Sequence, residues 1–165
     1  MERRETGGDG ELPLWREVEW GRFGLVREPI DPGPLLEFVT RPEMGAVVLF
    51  LGVGREWTEG KRTLSLSYEA YESMALKTLE EIGQEVRARW PEVRVAVVHR
   101  LGPIAISEAS VAIATASPHR AEAYAANRYV IDRVKEITPI WKKEHREDGE
   151  AWILGHTPDV SPKGR

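Results

Sequence analysis

Between residues 15 and 154 the chain switches between two hydrophobic periods, and each switch marks an element. Residues 15–27 alternate around Val18, Trp20, Phe23 and Leu25, the pattern of a strand or hairpin bent at Gly21 and Gly24. Asp31-Pro32 suits a helix start and leads into a short helix through Leu35, Leu36, Phe38 and Val39. Residues 45–52, GAVVLFLG, are an unbroken apolar run, which predicts a central strand buried on both faces. The next stretch, VGREWTEGKR, has no period and predicts a mobile loop of the kind that carries ligand contacts. Residues 63–71 alternate strictly, with Leu64, Leu66, Tyr68 and Ala70 on one side, and are expected to pair with the 45–52 strand.

Ser73 can cap a second helix whose buried stripe is Ala75, Leu79, Ile82, Val86 and Trp90, with Pro91 ending it. A strand over 93–101, a connection over 104–108 and a strand over 109–116 follow. Ser117-Pro118 then reads as the start of a third helix, with Ala123, Ala126, Val130, Val134 and Ile137 at intervals of three and four. Pro139 disfavours helix at Thr138, so residues 140–145 should run extended, turn at 147–150 and return as a short strand over 151–154. Strands adjoin repeatedly instead of alternating with helices. The expected fold is therefore α+β, a single domain with a mixed, mainly antiparallel sheet and about three helices packed on it. Residues 1–14 are expected to be a disordered leader and 155–165 a flexible tail.

Composition narrows the function. At 165 residues and 41% hydrophobic content the chain suits one packed domain. A net charge of −4 argues against a general nucleic-acid binder, so local basic clusters point to a small anionic ligand. With no cysteine there is no disulfide or thiolate site, which fits a reducing cytoplasm. The four histidines lack metal-ligand spacing, and no metal or other cofactor is expected. His99, at a strand end, suits a hydrogen-bonded structural role at least as well as a ligand or base. No phosphate-binding glycine loop, dinucleotide motif or serine elbow is present, and no membrane span or signal peptide is indicated.

Lysine and arginine chemistry remains, and it concentrates in residues 117–144. His119 and Arg120 lie at a helix start, where open N–H groups and the positive dipole end favour an anion. Lys135 comes late in that helix, and Lys142 and Lys143 follow on the extended segment. A lysine serves as acid, base or nucleophile once burial and neighbouring cations lower its pKa. His119 and Lys135 are about 24 Å apart at 1.5 Å per helical residue, too far to hold one small ligand. That distance leads to the expectation that His119 and Arg120 serve the pocket of a dimer mate.

Several short motifs occur together: Phe50-Leu51-Gly52 before Arg55, Tyr68-Glu69-x-Tyr71, Arg89-Trp90-Pro91, His99-Arg100-Leu101-Gly102, Ser117-Pro118-His119-Arg120, Lys135, and Pro139-Ile140-Trp141-Lys142-Lys143-Glu144. In this order the chain resembles the catalytic (large) subunit of molybdopterin synthase. The resemblance implies insertion of two sulfurs into cyclic pyranopterin monophosphate to form the molybdopterin dithiolene. It also implies a small ubiquitin-like partner that carries the sulfur as a thiocarboxylate on its C-terminal glycine. The assembly implied is a homodimer of large subunits within a heterotetramer. The family's catalytic lysines fall on Lys135 and Lys142, and its anion contacts on Arg55, His119 and Arg120. Val53, Gly54, Lys143 and Glu144 match positions lining the same pocket. Where the family commonly reads Gly-x-Val-Arg, this chain has Gly52-Val53-Gly54-Arg55. Two readings from other classes are a non-catalytic anion-binding adaptor, marked by tail binding without sulfur transfer, and an RNA-binding domain, against which the acidic charge counts.

Overall fold

The computed structural model describes residues 4–6 and 11–154. Two sheets share the strands. The larger runs β1 (Arg4–Thr6), β2 (Leu14–Val18), β3 (Gly21–Val26), β7 (Arg94–Arg100), β9 (Ala109–Ser117) and β4 (Ala46–Val53), antiparallel throughout except for the parallel β3–β7 pair. The smaller runs β11 (Gly149–Leu154), β10 (Ile140–Arg146), β6 (Lys61–Ala70) and β5 (Trp57–Thr58), with β8 (Gly102–Ala105) also pairing β6. Three helices complete it: α1 (Gly33–Val39), α2 (Glu72–Arg89) and α3 (Arg120–Ile137). The expected α+β class, with three helices on mixed and mainly antiparallel sheet, is what forms.

Alternation along β7 and β9 divides the core. Val95, Val97 and Ile113 face one way and pack with Phe23, Leu25 and the stripes of α2 and α3. Ala96, Val98, Ala112, Ala114 and Ala116 face the other way and receive Leu35 and Val39 of α1. Small residues on this second face let a two-turn helix sit close to the strands. On α2 and α3 the buried positions include Ala75, Leu79, Ile82 and Val86, and Ala123, Ala126, Val130 and Val134, as the 3.6-residue period requires. The two helices are tied by Arg133, which donates to both oxygens of Glu85 at 2.8 and 3.0 Å, and by the Tyr129 hydroxyl on Glu85 at 2.7 Å.

Several expectations change. The apolar run over 45–52 is not a central strand: β4 is an edge of the larger sheet, hydrogen-bonded to β9, with Val47, Leu51 and Val53 39–50% exposed. The doubly buried strands are β7 and β9, since an unbroken apolar run cannot distinguish a central strand from an edge. Nor does β6 pair with β4; it pairs with β10, β8 and β5 in the other sheet. The expected loop over 53–62 closes as a hairpin, with Glu59 and Gly60 at positive φ in the two-residue turn between β5 and β6. Part of the 104–108 connection is β8. Within the leader expected to be disordered, Arg4–Thr6 pairs with β2, and Leu14 opens β2 as a buried residue. The expected tail over 155–165 lies outside the described residues.

Helix starts also differ. Ser117 is spent in β9, opposite Ala46, so His119 becomes the N-cap of α3, and it makes no side-chain capping bond. A side chain at Gly45 would run into the Pro118 carbonyl, so this junction needs glycine. Tyr71, not Ser73, is the N-cap of α2. Asp31 does accept from the Gly33 N–H at 2.9 Å, although Pro32 holds the cap position of α1.

Gly83 lies inside α2, and a Cβ there would overlap the Phe23 ring and crowd Trp20. Alanine ordinarily favours a helix over glycine by about 1 kcal/mol, yet overpacking a buried ring costs about 1–3 kcal/mol. Gly83→Ala should therefore lower the urea midpoint at unchanged m-value; a raised midpoint would show that the ring moves aside freely.

Candidate active site

A cavity of about 370 Å³ opens where the two sheets diverge at the C-terminal end of α3. Phe50, Gly52 and Val53 of β4 and Ser110 and Val111 of β9 form one wall. Tyr68 of β6, Ile140 and Lys142 of β10 and Ile153 of β11 form the opposite one. Lys135 and Val134 of the last turns of α3, His99 at the end of β7, and Arg55 complete it. A second cavity of about 420 Å³, lined by Arg27, Tyr71, Glu72 and Trp141 among others, contains no lysine. Its charges are partly spent on each other, Arg27 lying 3.9 Å from Glu72.

Local structure explains how the cations meet. Thr138 caps α3 in an extended conformation, its N–H on the Val134 carbonyl at 3.2 Å. Pro139 cannot continue the helix, and its carbonyl accepts the Tyr71 N–H at 3.2 Å. β10 then pairs with β6 so that Ile140, Lys142 and Glu144 lie opposite Ala70, Tyr68 and Leu66. Side chains alternate along a strand, so Lys142 turns inward toward Lys135 and Lys143 turns outward. Lys143 lies over the Trp152 ring at 5.1 Å and pairs with Glu150 at 2.6 Å, on the other face of the sheet. Glu144, 3% exposed, faces inward and pairs with Lys142 at 3.4 Å and Arg146 at 2.8 Å.

Arg55 is delivered by a fixed base rather than a loose loop. The Gly54 N–H donates to the Glu108 carbonyl at 3.2 Å and its carbonyl accepts from the Ser107 N–H at 2.9 Å, while the Ser110 hydroxyl donates to the Gly52 carbonyl at 3.2 Å. Arg55 and Lys135 form no ion pair among the described residues. Partial desolvation in the cavity wall, then the like charges of Lys142 and Arg55, hold the Lys135 ammonium below the usual lysine range. Lys135 is exposed as a residue, so that desolvation is incomplete.

Of the residues predicted from the sequence, Val53, Arg55, Lys135 and Lys142 line one cavity, and Gly54 and Glu144 support it from behind. Lys143 does not join them, because it occupies the opposite phase of β10. His119 and Arg120 are exposed at the far end of the 18-residue α3 and do not line this cavity. Most of the lining residues were not among the predicted set, Tyr68 and His99 among them. Tyr68 falls on the inward face of its alternating strand, and His99 is held as a hydrogen-bonded ring in the cavity wall. His99 is 6% exposed, its Nδ1 lies 2.9 Å from the Arg100 carbonyl, and its ring meets the edge of Tyr68 at 5.1 Å.

The α+β domain thus brings two lysines and an arginine to one cavity, with Glu144 paired to Lys142 behind it. The MoaE protein family model matches residues 25–137, and the chain belongs to that family. The chain is 54% identical over 132 residues to the molybdopterin synthase catalytic subunit of Halalkalibacterium halodurans, spanning 80% of this chain and 85% of that one. It superposes on the crystal structure of molybdopterin synthase from Staphylococcus aureus with a TM-score of 0.77 at 52% identity, covering 79% of this chain and 95% of that one. The fold alone extends to a protein–protein complex of subunits 1 and 2 of molybdopterin-converting factor from Helicobacter pylori, with a TM-score of 0.64 at 22% identity over 79% of this chain and 87% of that one. No helix among the described residues is long and apolar enough to cross a membrane.

Burial, then the charge of Lys135, pushes the His99 pKa down from 6.5 to about 4, against its hydrogen bond to the Arg100 carbonyl. The unfolded chain thus binds this proton more tightly than the folded one, so stability is full above about pH 6.5 and is lost as pH falls toward 4. His99→Asn should remove that part of the pH dependence, worth at most about 3 kcal/mol. Urea midpoints at pH 7.5 and 4.5 check this; parallel losses in both proteins would refute it.

Proposed function

We propose that this chain is the catalytic subunit of a cytoplasmic molybdopterin synthase. It inserts two sulfurs into cyclic pyranopterin monophosphate to form the molybdopterin dithiolene. The sulfurs arrive as a thiocarboxylate on the C-terminal glycine of a small ubiquitin-like carrier. The observation that carries this reading is the convergence of Lys135 and Lys142 on one cavity in a chain of this family.

The geometry supports separate roles for the lysines. Lys135, with its ammonium destabilised, gives up a proton more readily than a surface lysine and can then shuttle protons or attack the carrier's terminal carbonyl as a free amine. Lys142 stays paired with buried Glu144 and is held in place to stabilise charge developing on sulfur or oxygen. Arg55 offers a planar donor to phosphate or to the carrier's tail.

His119 and Arg120 complete a site across a homodimer. α3 spans about 27 Å at 1.5 Å per residue, which keeps them from the Lys135 end of their own chain. The α3 N-terminus lacks a side-chain cap, leaving backbone donors for a phosphate. The exposed apolar edge of β4 at Val47, Leu51 and Val53 is the kind of strand that proteins cover, and Val53 also lines the cavity. A partner packed there lies beside the site. Two such large subunits, each with one carrier, form a heterotetramer.

Purified protein given thiocarboxylated carrier and cyclic pyranopterin monophosphate should yield molybdopterin. Lys135→Ala should reduce turnover by about 10²-fold or more with an unchanged melting temperature, as expected for loss of a proton-transfer group. Turnover retained in that variant would remove Lys135 from the mechanism. For the shared site, Lys135→Ala mixed with a His119→Ala/Arg120→Ala double variant should regain up to about a quarter of wild-type activity, because half of randomly exchanged dimers carry one intact site. No recovery after confirmed subunit exchange would place all the groups in one chain.

A further inference from the structure

The charged groups of the cavity, Arg55, Lys135 and Lys142, are donors without acceptor capacity. They suit a phosphate or carboxylate but cannot read a heterocycle that presents N–H groups. Among the described lining residues, Tyr68, Ser110 and His99 carry side-chain atoms that can accept, and His99 is the ring whose tautomer the structure fixes. A carbonyl accepts and cannot donate, so the 2.9 Å contact between Nδ1 and the Arg100 carbonyl places the ring proton on Nδ1. Nε2 is then an acceptor, and it makes no hydrogen bond to any described residue. The side chain is 6% exposed, held by Tyr68 at its edge and lining the cavity from the end of β7. In a residue that lines the cavity, this acceptor is open to a hydrogen bond donated by a ligand. The Ser110 hydroxyl donates to the Gly52 carbonyl and keeps oxygen lone pairs that can accept beside it.

We propose that His99 is a specificity-determining residue, its Nε2 accepting a hydrogen bond from an N–H of the pterin heterocycle while the cations hold the phosphate. The proposal rests on the pterin reading given above. It assigns two jobs to two parts of one cavity: charge for affinity and a neutral imidazole for the identity and orientation of the ring. Protonation of His99 stays negligible at neutral pH because of its burial, so the acceptor is available throughout the working range.

Two substitutions separate this role from a structural one. Asparagine keeps a donor near the Nδ1 position but lacks the Nε2 acceptor, and glutamine does the reverse. Calorimetric titration of the full chain with cyclic pyranopterin monophosphate, and with inorganic phosphate as a control, should show His99→Asn weakening pterin Kd by about tenfold or more with phosphate binding unchanged. His99→Gln should stay within about threefold of wild type, although it loses the backbone bond. Pterin analogues methylated at one nitrogen at a time should include one that binds wild type about tenfold more weakly and binds His99→Asn no worse than the parent compound. Asparagine matching wild type, or both variants losing pterin and phosphate together, would overturn the proposal. Should wild type itself take phosphate but no pterin, the synthase reading fails and the proposal fails with it.

Discussion

The placement of the site depends on the register of one strand. β10 leaves α3 through Thr138 and Pro139 and pairs with β6 so that Lys142 lies opposite Tyr68. A slip of one residue would turn Lys143 inward and Lys142 to solvent, because side chains alternate faces along the regular part of a strand. Three features hold the register. Pro139 cannot extend the helix, its carbonyl takes the Tyr71 N–H, and Ile140 is buried in the core below the cavity. β10 also has a strand on each side, β6 and β11, so it cannot move without breaking two ladders.

Once that register is set, electrostatics follows. Lysines from a helix end and a strand face each other across a small cavity, with Arg55 close enough to add to the repulsion felt by Lys135. The one inward carboxylate, Glu144, is engaged by Lys142 and Arg146 and compensates only part of that charge. The contact with buried Glu144 holds the Lys142 side chain in place. Lys135 has no such partner among the described residues, and desolvation followed by the like charges of Lys142 and Arg55 lowers its pKa. A cavity with this surplus of positive charge is most stable when an anion occupies it.

The larger sheet supplies the rigid half of the cavity. β4 and β9 carry the Gly52–Arg55 segment, and the bonds from Gly54 to Ser107 and Glu108 anchor it to the turn before β9. β4, the outer of the two, exposes Val47 and Leu51.

Much of this was legible in the residues. The stripes of α2 and α3, the strict alternation over 63–71, the helix stop at Pro139 and the lysines at 135 and 142 are local periods and local sterics, which a chain carries wherever it folds. Lys142 and Lys143 were both assigned to the pocket because neighbours in sequence look equivalent until a strand has faces. β4 read as central because an apolar run reports burial or the need for it, without saying whether the cover comes from the same chain. Ser117 read as a cap because its pairing with Ala46 lies 71 residues away. The sequence by itself determined the three helices, most of the strands and the candidate lysines, since period, turn residues and side-chain chemistry are local. Only the tertiary structure decided which lysine faces the cavity, that His99 offers it an acceptor, and that His119 and Arg120 stand apart, because register, burial and distance belong to pairs of segments.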